Sequence, residues 1–191
     1  ADFSQNDDIQ VVPIILSKEK LQLFQNHLLL YFTGFSRTAS QIAAEQISLT
    51  NQRKSELRVM HQMVEEGVSI LTRNQDSLSD FGLLLHESWK LKRSLTSKIS
   101  TPDIDEVYNK ARRSGAIGGK LLGAGGGGFL LLFAPPENHE RVREALHSFL
   151  RVPFSFDNFG SQIIFYQPDE LIDRDYPAEF QLQDQEVVKF R

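Results

Sequence analysis

Short apolar runs alternate along this chain with stretches in which apolar residues recur every three or four positions. The runs predict β-strands, because four to eight consecutive apolar or β-branched residues are typical of strands. The predicted strands are residues 9–16, 27–33, 117–122, 129–133 and 161–166. Pro13 indicates that the first is an edge strand. The near-continuous apolarity of residues 27–33 predicts burial on both faces, in the middle of a sheet.

Apolar residues at helical spacing predict five helices. These cover residues 40–46, 57–71, 78–89, 101–115 and 135–149. Ser36 is suited to cap the first helix, and Thr101 followed by Pro102 is a typical start for the fourth. The faces expected to point inward are Leu57, Met60, Val64, Val68 and Leu71 in the second helix, and Ile104, Val107, Tyr108 and Ala111 in the fourth. The polar stretch 73–77 predicts an antiparallel hairpin of the second and third helices.

The order of these elements predicts a fold class. From residue 28 onward it is strand, helices, strand, strand, helix, strand, which is the split βαβ, or ferredoxin-like, order with a helical hairpin inserted. We therefore predict an α+β fold in which helices cover one face of a four-stranded antiparallel sheet. Residues 1–26 would form a lead-in that contains the first strand, and the acidic, polar residues 168–191 a C-terminal tail.

Charge and composition narrow the range of partners. The formal net charge of -4 argues against nucleic acid and anionic membranes, which need a concentrated basic patch. The longest apolar run, residues 128–134, is far shorter than the ~20 residues that span a bilayer. The absence of cysteine excludes thiolate metal sites and is compatible with the reducing cytosol, where we expect the protein. The five histidines show no i, i+4 pairing, so we assign none of them to a metal.

The beginning of the chain suggests that it is part of a longer protein. It lacks a starting Met and has neither the basic nor the apolar region of a signal peptide. We therefore expect further sequence upstream of Ala1.

A cluster of glycines is the strongest candidate for a functional site. Eight of the twelve glycines lie between Gly115 and Gly128. Five of them fall within the six residues Gly123, Ala124, Gly125, Gly126, Gly127 and Gly128. Each glycine costs roughly 0.5–1 kcal/mol relative to alanine in backbone entropy. A simple turn does not need so many, so we predict a loop whose backbone approaches a ligand closely.

Three kinds of glycine loop are compatible with parts of this segment. Gly123, Gly125 and Gly128 satisfy G-x-G-x-x-G, but a dinucleotide-binding turn must be followed by a helix, and residues 129–133 predict a strand. Gly119-Lys120 resembles part of a Walker A loop, yet Leu121 stands where that loop needs Ser or Thr for magnesium. The remaining interpretation is a glycine-rich hairpin between two adjacent antiparallel strands.

Residues 116–129, Ala-Ile-Gly-Gly-Lys-Leu-Leu-Gly-Ala-Gly-Gly-Gly-Gly-Phe, resemble the third conserved motif of the GHMP kinases. Residues 30–37, residues 39–46 and the helix before Gly115 add to the resemblance, which covers about residues 11–166. Within that superfamily the chain looks most like sugar kinases that act on heptose 7-phosphate.

The resemblance implies that residues 27–167 are a GHMP kinase C-terminal domain with the ferredoxin-like fold. It also implies that Gly123 to Gly128 border the cleft that holds ATP and the acceptor. The family's first motif, its phosphate loop and its aspartate segment are absent from this chain, so we assign no catalytic residue here. ATP and Mg²⁺ would be bound mainly by an N-terminal domain upstream, and the chain alone should be inactive.

Three further residues are candidates for substrate binding. Ser36 and Arg37 follow a predicted central strand and precede a helix, where a substrate phosphate could be held, although an exposed arginine there is more often only solvated. Lys120 precedes the glycine loop and is equally well explained as a surface lysine or as a phosphate ligand.

Two functions remain open at this point. The first is the C-terminal domain of an ATP-dependent sugar kinase, with a sugar or sugar phosphate and its own N-terminal domain as partners. The alternative is a stand-alone ferredoxin-like module that binds a small anion or regulates another protein without chemistry.

Overall fold

The computed structural model describes residues 2–3, 9–34, 39–73 and 78–157. In chain order the elements are β1 (Asp2–Phe3), β2 (Ile9–Gln10), α1 (Lys18–Asn26), β3 (Leu28–Phe32), α2 (Ala39–Leu49), α3 (Lys54–Thr72), α4 (Ser79–Ser94), α5 (Pro102–Arg113), β4 (Gly118–Leu121), β5 (Phe129–Phe133), α6 (His139–Ala145) and β6 (Leu150–Arg151). Single 3₁₀ turns, Thr50–Gln52 and Pro136–Asn138, precede α3 and α6. Residues 1–156 form one unit and residues 157–191 a second.

A four-stranded antiparallel sheet organises the first unit. Its strands lie in the order β4-β5-β3-β6, and β1 and β2 form a separate two-stranded pair. Strand β3 therefore has a neighbour on each side, as the apolarity of residues 27–33 predicts. The mixture of helices with this antiparallel sheet confirms the α+β class.

The two faces of β3 are buried against different groups of helices. Leu29 and Tyr31 belong to the larger core cluster, which includes residues of α2, α4, α5 and α6. Leu28 belongs to a second cluster, with Phe133 of β5 and Leu71 of α3. Because side chains alternate between the faces of a strand, burial on both sides requires the continuous apolar run seen in the sequence.

Helix α5 forms as its sequence predicts. The Thr101 hydroxyl accepts a hydrogen bond from the Ile104 amide, and Pro102 occupies the first turn. The predicted inward residues are all buried, namely Ile104, Val107, Tyr108 and Ala111. Gly115 follows the helix with a φ of +109°, a left-handed conformation that favours glycine.

The predicted first strand is largely wrong. Only Ile9 and Gln10 are in a strand, and Val11, Val12 and Ile15 are exposed. The chain then enters α1, a helix that the apolar pattern did not predict, with the Ser17 hydroxyl capping the Lys20 amide. Pro13 lacks an amide hydrogen, which explains why pairing does not extend through this run.

The inward face predicted for α3 is also wrong in part. The buried residues of α3 are Gly67, Ile70 and Leu71, whereas the side chain of Val64 is 66% exposed. Helix α3 packs on α4 near its end, where Gly67 lies next to Leu84. The apolar positions nearer its start line an open groove instead.

The fourth strand of the sheet is β6, which the sequence pattern did not predict. Arg151 pairs with Tyr31, and Leu150 pairs with Phe32. The strand has two residues, both exposed, so it leaves no apolar alternation. The predicted strand 161–166 and the tail 168–191 lie outside the described residues.

Candidate functional site

The glycine loop is the tip of a β-hairpin. Strands β4 and β5 pair antiparallel from Gly118 opposite Phe133 to Leu121 opposite Leu130. The Leu122 amide donates to the Phe129 carbonyl at 2.8 Å and closes the loop. Because a strand follows Gly128, this loop is neither a dinucleotide-binding turn nor a Walker A loop, and the hairpin prediction is confirmed.

The loop backbone adopts conformations that other residues resist. Left-handed φ angles occur at Gly123 (75°), Gly125 (121°), Gly126 (74°) and Gly128 (98°). Gly125 has a second constraint, because an added Cβ would lie 2.8 Å from the Ile99 carbonyl oxygen. Glycine at 125 is therefore required both by backbone angle and by close packing on the α4–α5 connection.

Four other parts of the fold hold this loop in place. Thr33, directly after β3, donates to the Gly128 carbonyl from its amide at 2.8 Å and from its hydroxyl at 2.9 Å. The Gln46 side chain of α2 donates to the Ala124 carbonyl at 2.8 Å. The Gly126 amide donates to the Ile99 carbonyl at 2.8 Å. The Lys92 ammonium of α4 donates to the Gly123 carbonyl at 2.6 Å.

These contacts use the loop's carbonyls and leave most of its amides available. In the described part of the chain, Gly126 is the one residue of 123–128 whose N–H donates to a protein acceptor. Successive free N–H groups can form an anion-binding concavity. A pinned loop whose amides are largely unused among the described residues is thus suited to hold an anionic group.

Two lysines lie beside the loop. Lys92 is in the last turn of α4, and Lys120 is on β4. Lys120 is two residues after Gly118, whose added Cβ would strike the Gly82 carbonyl of α4. Since side chains alternate along a strand, Lys120 lies on the face of β4 that packs on α4.

The charges of these lysines are only partly compensated. Burial, and secondarily the positive charge of Lys120, lower the pKa of Lys92 from its ordinary 10.5 to about 8. Burial also lowers the pKa of Lys120. Among the described residues, the ion pairs within 4.0 Å include neither lysine. The site is therefore electropositive, and the described residues supply no counterion within 4.0 Å.

A partly buried polar pair lies behind β4. The ring of His86 on α4 stacks on that of Tyr108 on α5, and the Tyr108 hydroxyl lies 2.6 Å from His86 Nδ1. Burial raises the pKa of Tyr108 to about 12, so this hydroxyl stays protonated at neutral pH. Burial, followed by the charge of Arg112, lowers the pKa of His86. The pair holds α4 against α5 as a neutral contact.

The structure brings some of the predicted site residues together and does not describe the others. Gly123 to Gly128 and Lys120 lie together at the β4–β5 hairpin, whereas Ser36 and Arg37 lie outside the described residues. Sequence reasoning missed Lys92, because a lysine in the last turn of a helix is ordinarily explained by the helix dipole. Thr33 and Gln46 carried no sequence signal for their contacts with the loop.

Two kinds of feature are absent from the described ranges. Groups of three or more His, Cys, Asp or Glu side chains that could hold a metal ion do not occur there. No helix in those ranges combines the length and apolar character needed to cross a membrane.

The hairpin and the helix before it lie in a segment that matches a known family. Residues 70–152 match the model of the family described as GHMP kinases C terminal. This part of the chain is thus similar to the C-terminal domain of the GHMP kinases. The match contains α4, α5, the glycine hairpin, α6 and β6, and thus the glycine loop with Lys92 and Lys120, whereas Thr33 and Gln46 lie outside it.

Two curated kinases are similar to most of this chain. The chain is 28% identical over 150 residues to D-glycero-alpha-D-manno-heptose 7-phosphate kinase of Campylobacter jejuni, covering 76% of this chain and 43% of that protein. It is 30% identical over 130 residues to L-fucokinase/L-fucose-1-P guanylyltransferase of Bacteroides fragilis, covering 62% of this chain and 13% of that protein. The chain thus spans less than half of each relative.

The fold is shared with solved kinase structures. A D-glycero-D-manno-heptose 1-phosphate kinase from Bacteroides thetaiotaomicron superimposes with a TM-score of 0.56 at 22% identity, over 81% of this chain and 40% of that one. A mevalonate kinase superimposes with a TM-score of 0.57 at 21% identity, over 71% of this chain and 42% of that one. At these identities the likeness concerns the fold.

Proposed function

We propose that this chain is the C-terminal part of an ATP-dependent sugar kinase whose acceptor is a heptose 7-phosphate. The reaction would be in-line transfer of the γ-phosphoryl group of ATP to a sugar hydroxyl. The observation that carries the proposal is the pinned glycine hairpin within a segment similar to the C-terminal domain of the GHMP kinases. The similarity to a heptose 7-phosphate kinase over 76% of this chain favours that acceptor.

The topology of the sheet supports the finer fold assignment. In chain order the four strands are β3, β4, β5 and β6, and their spatial order is β4-β5-β3-β6. This is the strand order of a split βαβ unit, in which the fourth strand lies beside the first. The domain would thus be ferredoxin-like, with α3 and α4 as an inserted helical hairpin.

We propose that an N-terminal domain and this chain have different roles in the phosphoryl transfer. That domain would bind ATP and Mg²⁺ and would supply the group that orients the attacking hydroxyl. Residues 123–128 would border the cleft between the domains, and the chain alone would be inactive. We expect the enzyme in the cytoplasm, with Ser36 and Arg37 as further candidates for substrate binding. The stand-alone binding module is less favoured, because the reported relatives are kinases.

The acceptor is tested with the protein encoded by the complete reading frame. Its kcat/KM is measured with ATP, Mg²⁺ and a panel of heptose 7-phosphate, fucose, galactose, mannose phosphates and mevalonate. The highest value is expected for heptose 7-phosphate. A higher value for fucose or mevalonate would keep the kinase assignment but refute the heptose acceptor. Turnover of none of these compounds would refute both.

A further inference from the structure

The lysine pair at the base of the glycine hairpin has a feature that packing alone does not explain. Lys92 and Lys120 come from different elements, α4 and β4, and both are half-buried. Two ammonium groups brought together away from water repel one another and lose hydration. Within the described residues no carboxylate lies within 4.0 Å of either one.

The pair also retains unused hydrogen-bond donors. The Lys92 ammonium has three N–H groups and donates one to the Gly123 carbonyl. In the part of the chain that the structure describes, no hydrogen bond involves the Lys120 ammonium. The bond to Gly123 places the Lys92 ammonium at the start of the glycine loop. Among the described residues, five of the six amides of this loop also lack a protein acceptor. The arrangement offers two positive charges and several N–H donors to one ligand.

We infer that Lys92 and Lys120, with the adjacent glycine loop, bind the dianionic phosphate group of a phosphate monoester. A phosphate monoester carries a charge near -2 at neutral pH and three acceptor oxygens, which match two ammonium groups and neighbouring amides. A carboxylate carries half that charge and leaves one ammonium uncompensated. Either the acceptor sugar phosphate or the nucleotide could supply this group, and that choice rests on the proposed function. The affinity of the site for phosphate does not rest on it.

The binding test is isothermal titration of the full-length protein with inorganic phosphate at pH 7. Lys92→Met and Lys120→Met should each weaken binding roughly ten- to hundredfold, because each removes a charge-assisted hydrogen bond. Lys90→Met is the matched control, since Lys90 lies on the same helix, is exposed and pairs with Glu87 at 3.0 Å. Unchanged affinity in both test variants, or an equal loss in the control, would overturn the inference.

A second measurement uses the unaltered protein and so does not depend on how a variant folds. Lysine side-chain NMR signals are followed while inorganic phosphate is added. Bound phosphate should raise the pKa of Lys92, which burial and Lys120 hold at about 8, because a dianion stabilises the ammonium form. Affinity should accordingly fall as the pH rises above 8. Lysine signals that phosphate leaves unchanged would contradict the site.

Steady-state kinetics distinguish the two sources of the phosphate group. If the acceptor supplies it, both lysine variants should raise KM for the sugar phosphate and leave KM for ATP unchanged. If the nucleotide supplies it, KM for ATP should rise instead, and unchanged KM for both would count against the site. If the protein phosphorylates no sugar, the proposed function fails while the phosphate titration still decides this inference.

Discussion

Gly125 shows how a single position in the loop combines two constraints. Its φ of +121° disfavours any side chain, and its packing against Ile99 leaves no room for one. Gly123 shares the left-handed backbone, with a φ of +75°, but an added Cβ there would meet nothing within 4 Å. A substitution at Gly123 therefore introduces backbone strain alone, whereas one at Gly125 adds steric overlap.

Gly125→Ala should lower the free energy of unfolding by about 2–4 kcal/mol, through strain plus overlap with the Ile99 carbonyl. Gly123→Ala is the control and should cost only about 1–2 kcal/mol from strain. Urea denaturation of the two variants and the unaltered chain measures both values. Equal losses would show that the loop does not pack on Ile99 as described.

Burial of Lys92 should make the free energy of unfolding depend on pH. Its folded pKa of about 8 lies below the ordinary 10.5, so between these values the unfolded chain holds a proton that the folded chain has released. The contribution of Lys92 to the free energy of unfolding therefore rises as the pH increases from 8 to 10.5. Relative to Lys92→Met, the unaltered protein should gain stability over that window.

Denaturant unfolding at pH 7, 8, 9 and 10 tests this expectation. Lys90→Met again serves as the control, because Lys90 is exposed and lies on the same helix. A difference between the unaltered protein and Lys92→Met that stays constant from pH 7 to pH 10 would contradict the burial assigned to this lysine.

A helix or strand was predicted correctly where residues close together in sequence determine it, and less well where contacts distant in sequence do. Helix α5 carries its own cap, its own proline and an apolar stripe that one core buries, so each part was predictable. Helix α3 has an equally regular stripe, yet its buried residues are Gly67, Ile70 and Leu71 near its end, and the sequence does not encode which partner covers a face. Strand β6 is specified by pairing with β3, a contact distant in sequence.

The contact between α4 and α5 should make the domain sensitive to acid. The pKa of His86 lies below its ordinary 6.5, so as the pH falls through 6.5 the unfolded chain takes up a proton that the folded chain does not. Stability is thereby lost on acidification. Groups that act on His86 are Arg112 and Tyr108 from α5, and Glu87, Lys90 and Arg93 from α4.

His86→Gln should show a smaller loss of unfolding free energy between pH 7 and pH 5 than the unaltered chain. His147→Gln, which alters an exposed histidine after α6, is the control and should follow the unaltered chain. The measurement is denaturant unfolding across that pH range. An acid sensitivity that His86→Gln leaves unchanged would rule out His86 as its source.

For the whole molecule, the sequence predicted the place of the candidate site but only part of its composition. Five glycines in six residues predict an unusual backbone conformation, and the strand predicted after them indicates a hairpin. Lys92 and Thr33 reach the loop from α4 and from the end of β3, through contacts 31 and 95 residues apart in sequence. Such distant pairings leave no periodicity or spacing to detect.

We propose, as the central claim, that this domain completes a kinase whose main ATP-binding and metal-binding parts lie in an N-terminal domain. Transfer of labelled γ-phosphate from ATP to heptose 7-phosphate tests it most directly, measured under one condition for the protein from the complete reading frame and for the 191-residue chain alone. We predict turnover by the complete protein and none by the chain. Turnover by the chain alone, or none by the complete protein, would contradict the account.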